Sequence, residues 1–355
     1  MEKLEKLRKA LRSQNLDALL ITNEYNRRYI TGFTGTTGVA IVSQNDAVFI
    51  TDFRYTEQAN AQVKGNGYRI VENKGTIMEE IANQVKVMGI KTLGFEKDTV
   101  SYGMYEIYSK LIKAELVAVS GIIENIRLIK TPEEIKIIKV ACEIVDATFE
   151  HIIQFIQPGK TELEVSNEIE FFMRKLGATS SSFDTIVASG LRSALPHGVA
   201  TDKIIEKGDL VTLDYGALYN GYISDTTRTV AVGEPADQLK EIYQIVLDAQ
   251  LQGLEKFKPG MTGIEADAVA RDYIKEHGYG DAFGHSTGHG IGLEVHEGPA
   301  LSHRSNVVLE PGMVVTCEPG IYLPGIGGVR IEDDTLITAT GNEKLTHAPK
   351  ELIIL

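Results

Sequence analysis

Cysteine is nearly absent: Cys142 and Cys317 are the only two, 175 positions apart. That excludes a disulfide framework and a thiolate cage for a metal, and it fits a reducing compartment. There is no apolar run of about 18 residues, the length a membrane-crossing helix needs. The opening residues, MEKLEKLRKALRSQNLDALL, alternate charges at helical spacing and lack the apolar core of a signal peptide. A cytoplasmic chain is expected, with no membrane partner. Basic residues are outnumbered, 36 Lys and Arg against 49 Asp and Glu, for a net charge of −13. No basic block offers a phosphate-tracking surface, so nucleic acid is not an expected partner. Any metal bound by this chain must be held by His, Asp and Glu. Histidine is itself scarce, eight in 355 residues, yet His285, His289 and His296 share one stretch, FGHSTGHGIGLEVHEGP.

At 355 residues the chain exceeds the roughly 250–300 at which a single core stops growing, so two domains are expected. The first reads as α/β. An amphipathic helix from about Lys3 to Gln14 is followed by the strand-like DALLIT, VAIVS and DAVFIT, a helix near Ile77–Val87, and TLGFE. A long helix then starts at KTPEE, where Thr131 N-caps, Pro132 suits the first turn and Glu134 completes a capping box. Its apolar residues Ile135, Ile138, Ala141, Val145, Phe149, Ile152 and Ile156 fall on one face. The domain boundary is placed just before it, giving residues 1–128 and 129–355.

The second part contains an internal echo. PGKTELEVSNEIEFFMRKLG, from Pro158, aligns without gaps to PGMTGIEADAVARDYIKEHG, from Pro259, and both read as capped helices entered through a Pro-Gly turn. Further on, EKGDLVTLDYGALY echoes EPGMVVTCEPGIY and sets Asp214 opposite Glu318. Two related α/β halves packing their sheets around a shared site are the expected architecture.

DLVTLDYGALYNGYISDTTRTVAV reads as a hairpin turning at Asn220-Gly221, a pair favoured in two-residue type I′ turns. That turn makes Asp214 face Thr227 and puts Asp225 on the same sheet face, unless a bulge intervenes. Aspartates on strands often serve a solvated face or a turn. Asp214 follows the apolar LVTL, and two aspartates on one strand face are costly unless something positive lies between them. Glu318, after VVTC, and Glu332, in GGVRIEDDTLIT, repeat the pattern. Four acids at strand ends call for a cation.

A thermolysin-like zinc site would need HExxH, but His296-Glu297 is followed by GPALSH, which has the wrong spacing. A site rich in carboxylates with one or two imidazoles suits harder divalent ions such as manganese or cobalt, and four carboxylates would over-neutralise one ion, so two are expected. His289, between Gly288 and Gly290, is the favoured ligand, because the glycines allow close backbone approach. His285 and His296 are then free for substrate. His151, His277, His303 and His347 are read as structural.

Taken together, LDYGALYNGYISDTTRT, STGHGIGLEVHEGP, VTCEPGIYLPG and GGVRIEDD resemble the ordered metal motifs of the pita-bread metallopeptidases, the family of methionine aminopeptidase, aminopeptidase P and prolidase. The resemblance covers most of the chain. It implies an α/β fold with a small creatinase-like N-terminal domain and a C-terminal pita-bread domain of two pseudo-symmetric halves. It also implies that Asp214 chelates one metal, Asp225 and Glu332 bridge two, and His289 and Glu318 bind the other, with manganese preferred over cobalt. His197 in SALPHGV, His285, His296 and Arg330 match substrate-side residues of the proline-specific members, and Glu318 matches the proton shuttle.

The implied activity is hydrolysis of an Xaa-Pro bond, most simply in dipeptides, by a cytoplasmic homodimer whose N-terminal domain limits substrate length. Such a bond has no N–H, so it needs a dedicated pocket. Aminopeptidase P, acting on longer peptides, is the runner-up. A creatinase-like metal-free enzyme and a non-catalytic binding module are weaker candidates, because both would be expected to have lost ligands that are complete here.

Overall fold

In the computed structural model, which describes residues 2–355, the chain divides between Arg127 and Leu128 into two units. In the first, the helix Glu2–Ser13 buries Leu4, Leu7 and Leu11, one apolar stripe at helical spacing. The apolar runs read as strands form the middle of a six-stranded mixed sheet. Its spatial order is Arg69–Glu72, Ala47–Thr51, Val39–Ser43, Ala18–Ile21, Thr92–Glu96 and Glu115–Val119. The helix Ile77–Val87 starts with a capping box from Thr76 and Glu79.

In the second unit the long helix runs Pro132–Phe155 behind the expected Thr131 and Glu134 capping box, and it buries Ile138, Ala141, Val145, Phe149 and Ile152. The internal echo is structural. Helices Glu162–Lys175 and Gly263–Glu276 carry matching capping boxes, Thr161 with Glu164 and Thr262 with Glu265. Each half then supplies an antiparallel strand pair, Leu210–Tyr215 with Thr226–Ala231 and Val314–Cys317 with Asp333–Ile337. An isolated bridge, Thr227 to Glu332, joins the two pairs at a seam.

The hairpin register is as expected, with Asp214 opposite Thr227, but the ladder is broken. Beyond Tyr215 the chain passes to a separate three-stranded sheet, in which Ala217–Tyr219 pairs with Tyr222–Ile223. The break is tightly packed: at Gly216 a Cβ would collide with the Ser224 carbonyl and the Ser182 hydroxyl, so only glycine fits there. Ser224 fills the gap, donating its hydroxyl to Ala141 O at 3.0 Å and accepting from Ala217 N at 3.1 Å. Asp225 thus sits in the break, just before its strand. Glu332 holds the same position before Asp333–Ile337.

Candidate metal centre

A cavity of about 560 Å³ in the second unit is lined by all nine residues singled out in the sequence: His197, Asp214, Asp225, His285, His289, His296, Glu318, Arg330 and Glu332. Its apolar wall includes Phe183, Ile186, Val199 and Val295. His151 and His277 lie elsewhere, the first stacked on Phe172 and the second bonded to Tyr273 O.

The ligand atoms of Asp225, His289 and Glu332 all lie within 4.8 Å of one another. Glu318 joins them through His289, its Oε1 being 3.3 Å from the ring Nε2, with Asp225 Oδ2 at 3.8 Å. Asp214 stands outside that tight group. Its Oδ2 instead accepts from Arg330 Nη2 at 2.6 Å. His289 is carried by the short strand Gly288–Gly290, squeezed between Glu297–Leu301 and Val314–Cys317. A Cβ at Gly288 would meet Thr316 O, and one at Gly290 would meet Gly298 O, which is why glycines flank this histidine.

Hydrogen bonding assigns each donor atom. His289 Nδ1 faces Gly290 O at 3.2 Å, so it carries the proton and leaves the Nε2 lone pair toward the carboxylates. Burial and the nearby His296 push this imidazole down to about 4, keeping it neutral. Each of three carboxylates has one buried oxygen without a hydrogen-bond partner: Asp214 Oδ1, Asp225 Oδ1 and Glu332 Oε1. The other oxygen of Glu332 accepts from Thr227 Oγ1 at 2.7 Å. Asp225 is held through its backbone, which donates to Asp334 Oδ2 at 2.9 Å. Burial, aggravated by the neighbouring acids, raises Asp225 and Glu332 well above the usual carboxylate range and Glu318 to about 8. Bare buried oxygens beside an imidazole lone pair are mutually repulsive, and a hard divalent cation is the partner that fits them.

A second set of contacts orders the substrate side. His285 Nδ1 donates to Ser286 O at 2.8 Å, leaving Nε2 to accept from Tyr322 OH at 2.8 Å. Arg330 donates through Nη1 to that same Tyr322 oxygen at 2.8 Å and through Nε to Thr227 Oγ1 at 3.1 Å. Burial, with Arg330 nearby, lowers His285 to about 4, so it is neutral in this relay. His197 and His296 are exposed to the cavity. The rings of His296 and His289 lie 4.4 Å apart. Sequence reasoning missed Thr227, Tyr322 and Asp334. All three stood inside the quoted motifs, but a Thr or Tyr on a strand reads by default as sheet or core.

Comparison with known proteins matches residues 3–129 to the Creatinase/Prolidase N-terminal domain and residues 136–339 to Metallopeptidase family M24. The Xaa-Pro dipeptidase of Pyrococcus furiosus is 46% identical over 355 residues, 99% of each chain. A solved Xaa-Pro dipeptidase from Bacillus anthracis superposes with a TM-score of 0.98 at 63% identity, covering 100% of this chain and 99% of that one. A solved X-Pro aminopeptidase from Thermotoga maritima gives 0.91 at 42% identity, over 98% and 100%. The expected pita-bread domain behind a creatinase-type N-terminal domain is therefore the fold of this chain. The cation that the bare oxygens call for is the kind of ion this family uses, and the chain belongs to metallopeptidase family M24.

Proposed function

We propose that this protein hydrolyses the Xaa-Pro bond of dipeptides, using two divalent ions, manganese by preference, held by Asp214, Asp225, His289, Glu318 and Glu332. One observation carries the reading: a neutral imidazole and three carboxylates, each with one buried unpartnered oxygen, line one cavity. When bound, two such ions polarise a peptide carbonyl and make water a nucleophile at neutral pH.

The chain's own residues supply the rest. Glu318, which lines the cleft beside His289, takes a proton there and passes it to the proline nitrogen, which needs one to leave. His296, open to the cavity, donates to the oxyanion that develops on the scissile carbonyl. The Arg330–Tyr322–His285 relay fixes His285 on the substrate side, with His197 as a further substrate contact. Phe183, Ile186, Val199 and Val295 give the pyrrolidine ring an apolar wall.

The same reading includes a cytoplasmic homodimer. The dipeptide substrate is supported by the relatives named Xaa-Pro dipeptidase. The likeness to an X-Pro aminopeptidase favours a second reading, action on longer peptides. Rates on Ala-Pro, Ala-Ala and Ala-Pro-Ala under one set of manganese conditions separate the two: Ala-Pro is expected to lead. A lead for the tripeptide moves the assignment to the aminopeptidase, and a lead for Ala-Ala overturns proline specificity.

A further inference from the structure

Arg228 is 1% exposed, adjoins Thr227 in sequence and does not line the cavity. Its Nη1 donates to the carbonyl oxygens of both Thr227, at 2.9 Å, and Glu332. These are the two residues of the bridge that joins the halves. Nη2 donates to Asp333 Oδ1 at 2.7 Å and Ala348 O at 2.8 Å, and Nε to Pro349 O at 3.0 Å. Asp333 is held in turn by Thr346 Oγ1, Lys350 Nζ and Gln250 Nε2, each at 2.8 Å. The buried guanidinium is therefore saturated with acceptors and braced from behind, the condition under which a buried charge is tolerable.

A guanidinium is a rigid planar fork, whereas an ammonium is a point charge on a flexible stem. Only the former holds several acceptors at fixed spacing. We infer that Arg228 is a positioning residue for the metal centre: by gripping the carbonyls of Thr227 and Glu332 together it sets the separation of the two strand pairs. It thereby sets the distance between the bare oxygens of Asp225, on one side of the seam, and Glu332, on the other. The inference rests on the reading that these carboxylates hold metal.

Lys350 provides the control, because it also neutralises Asp333 but touches neither bridge carbonyl. Chelator-stripped protein is titrated with Co²⁺ by calorimetry and by its visible absorption, alongside melting temperature and steady-state kinetics. Arg228→Lys keeps the charge on Asp333 and is expected to weaken cobalt binding about 10–100-fold, the range for loss of an outer-shell partner. Its cobalt spectrum should change, and kcat should fall with KM little moved. Lys350→Met should melt lower yet bind cobalt as wild type does. If Arg228→Lys does not fold, the double variant Arg228→Gln, Asp333→Asn removes both charges together and should show the same weakening. Wild-type affinity in whichever Arg228 variant folds, or equal weakening in Lys350→Met, overturns the inference while leaving the metal reading intact. Wild-type protein that takes up no cobalt overturns the metal reading, and this inference with it.

Discussion

Thr227 and Glu332 hold each other twice across the seam: the Glu332 backbone N–H donates to Thr227 O at 3.0 Å, and the Thr227 hydroxyl donates to Glu332 Oε2 at 2.7 Å. The hydroxyl also accepts from Arg330 Nε, so its proton is committed to the carboxylate and Glu332 Oε1 alone is left bare. Thr227→Val keeps the shape and removes this control. Metal affinity or kcat should drop about 10–100-fold, as for other outer-shell partners, and Thr227→Ser should restore most of it. A Val variant equal to wild type in metal titration and rate would show that the hydroxyl steers nothing.

Asp225→Asn replaces a charged ligand by a neutral amide that binds hard cations weakly. The backbone bond from residue 225 to Asp334 does not use the side chain, so the fold should survive. Metal content should fall, and activity should drop by more than the ~10–100-fold typical of an outer-shell loss. Near-normal metal content and rate in the purified variant would remove Asp225 from the ligand set.

His296→Ala should leave metal content intact and lower kcat by about 10²–10³, the cost of one oxyanion donor. His303, exposed and bonded to its neighbour Arg304, serves as the control, and His303→Ala should change little. Loss of metal in His296→Ala would mean that the ligand and donor roles of His289 and His296 had been exchanged.

The buried carboxylates make the centre pH-dependent. Burial raises Glu318 from 4.5 to about 8 and lifts Asp225 and Glu332 well above their ordinary values. In chelator-stripped protein the folded state then binds more protons than the unfolded state. The stability these groups contribute is complete below the unfolded value and is lost as pH rises through the folded one. Metal binds the deprotonated forms and releases those protons. The gap in melting temperature between metal-loaded and stripped protein should therefore widen from pH 4.5 to about 8. Calorimetry in two buffers of different ionisation enthalpy should record proton release on metal binding. A constant gap with no proton release would contradict the raised values.

Arg330 and Asp214 form a buried ion pair at 2.6 Å. Arg330→Met strands the carboxylate and loosens Tyr322 and, through it, His285. Thermal or denaturant unfolding should show a loss of about 3–5 kcal/mol, the usual cost of breaking such a pair from one side. An unchanged melting temperature in the stripped variant would mean that Asp214 is adequately solvated without its partner.

What the sequence determined by itself was local or periodic. The capping boxes at Thr131, Thr161 and Thr262 need only residues three apart. The duplicated helices needed only an offset, and Asn220-Gly221 set the register that puts Thr227 opposite Asp214. The motifs carried the family and named nine ionisable residues that converge on the cavity, though not Asp184 or its apolar wall. Tertiary structure decided what joins residues far apart in the chain. Arg330 lies 116 positions from Asp214 and meets it, while Arg228 lies 104 positions from Glu332 and grips its carbonyl. No local propensity encodes such contacts, because two strand pairs must first dock before their side chains have partners. The need for glycine at position 216 was hidden for the same reason: the Ser182 hydroxyl that crowds this position arrives from another strand region. Which carboxylate oxygen is bound and which left bare was also decided there, since one hydroxyl and one guanidinium brought in by folding make that choice.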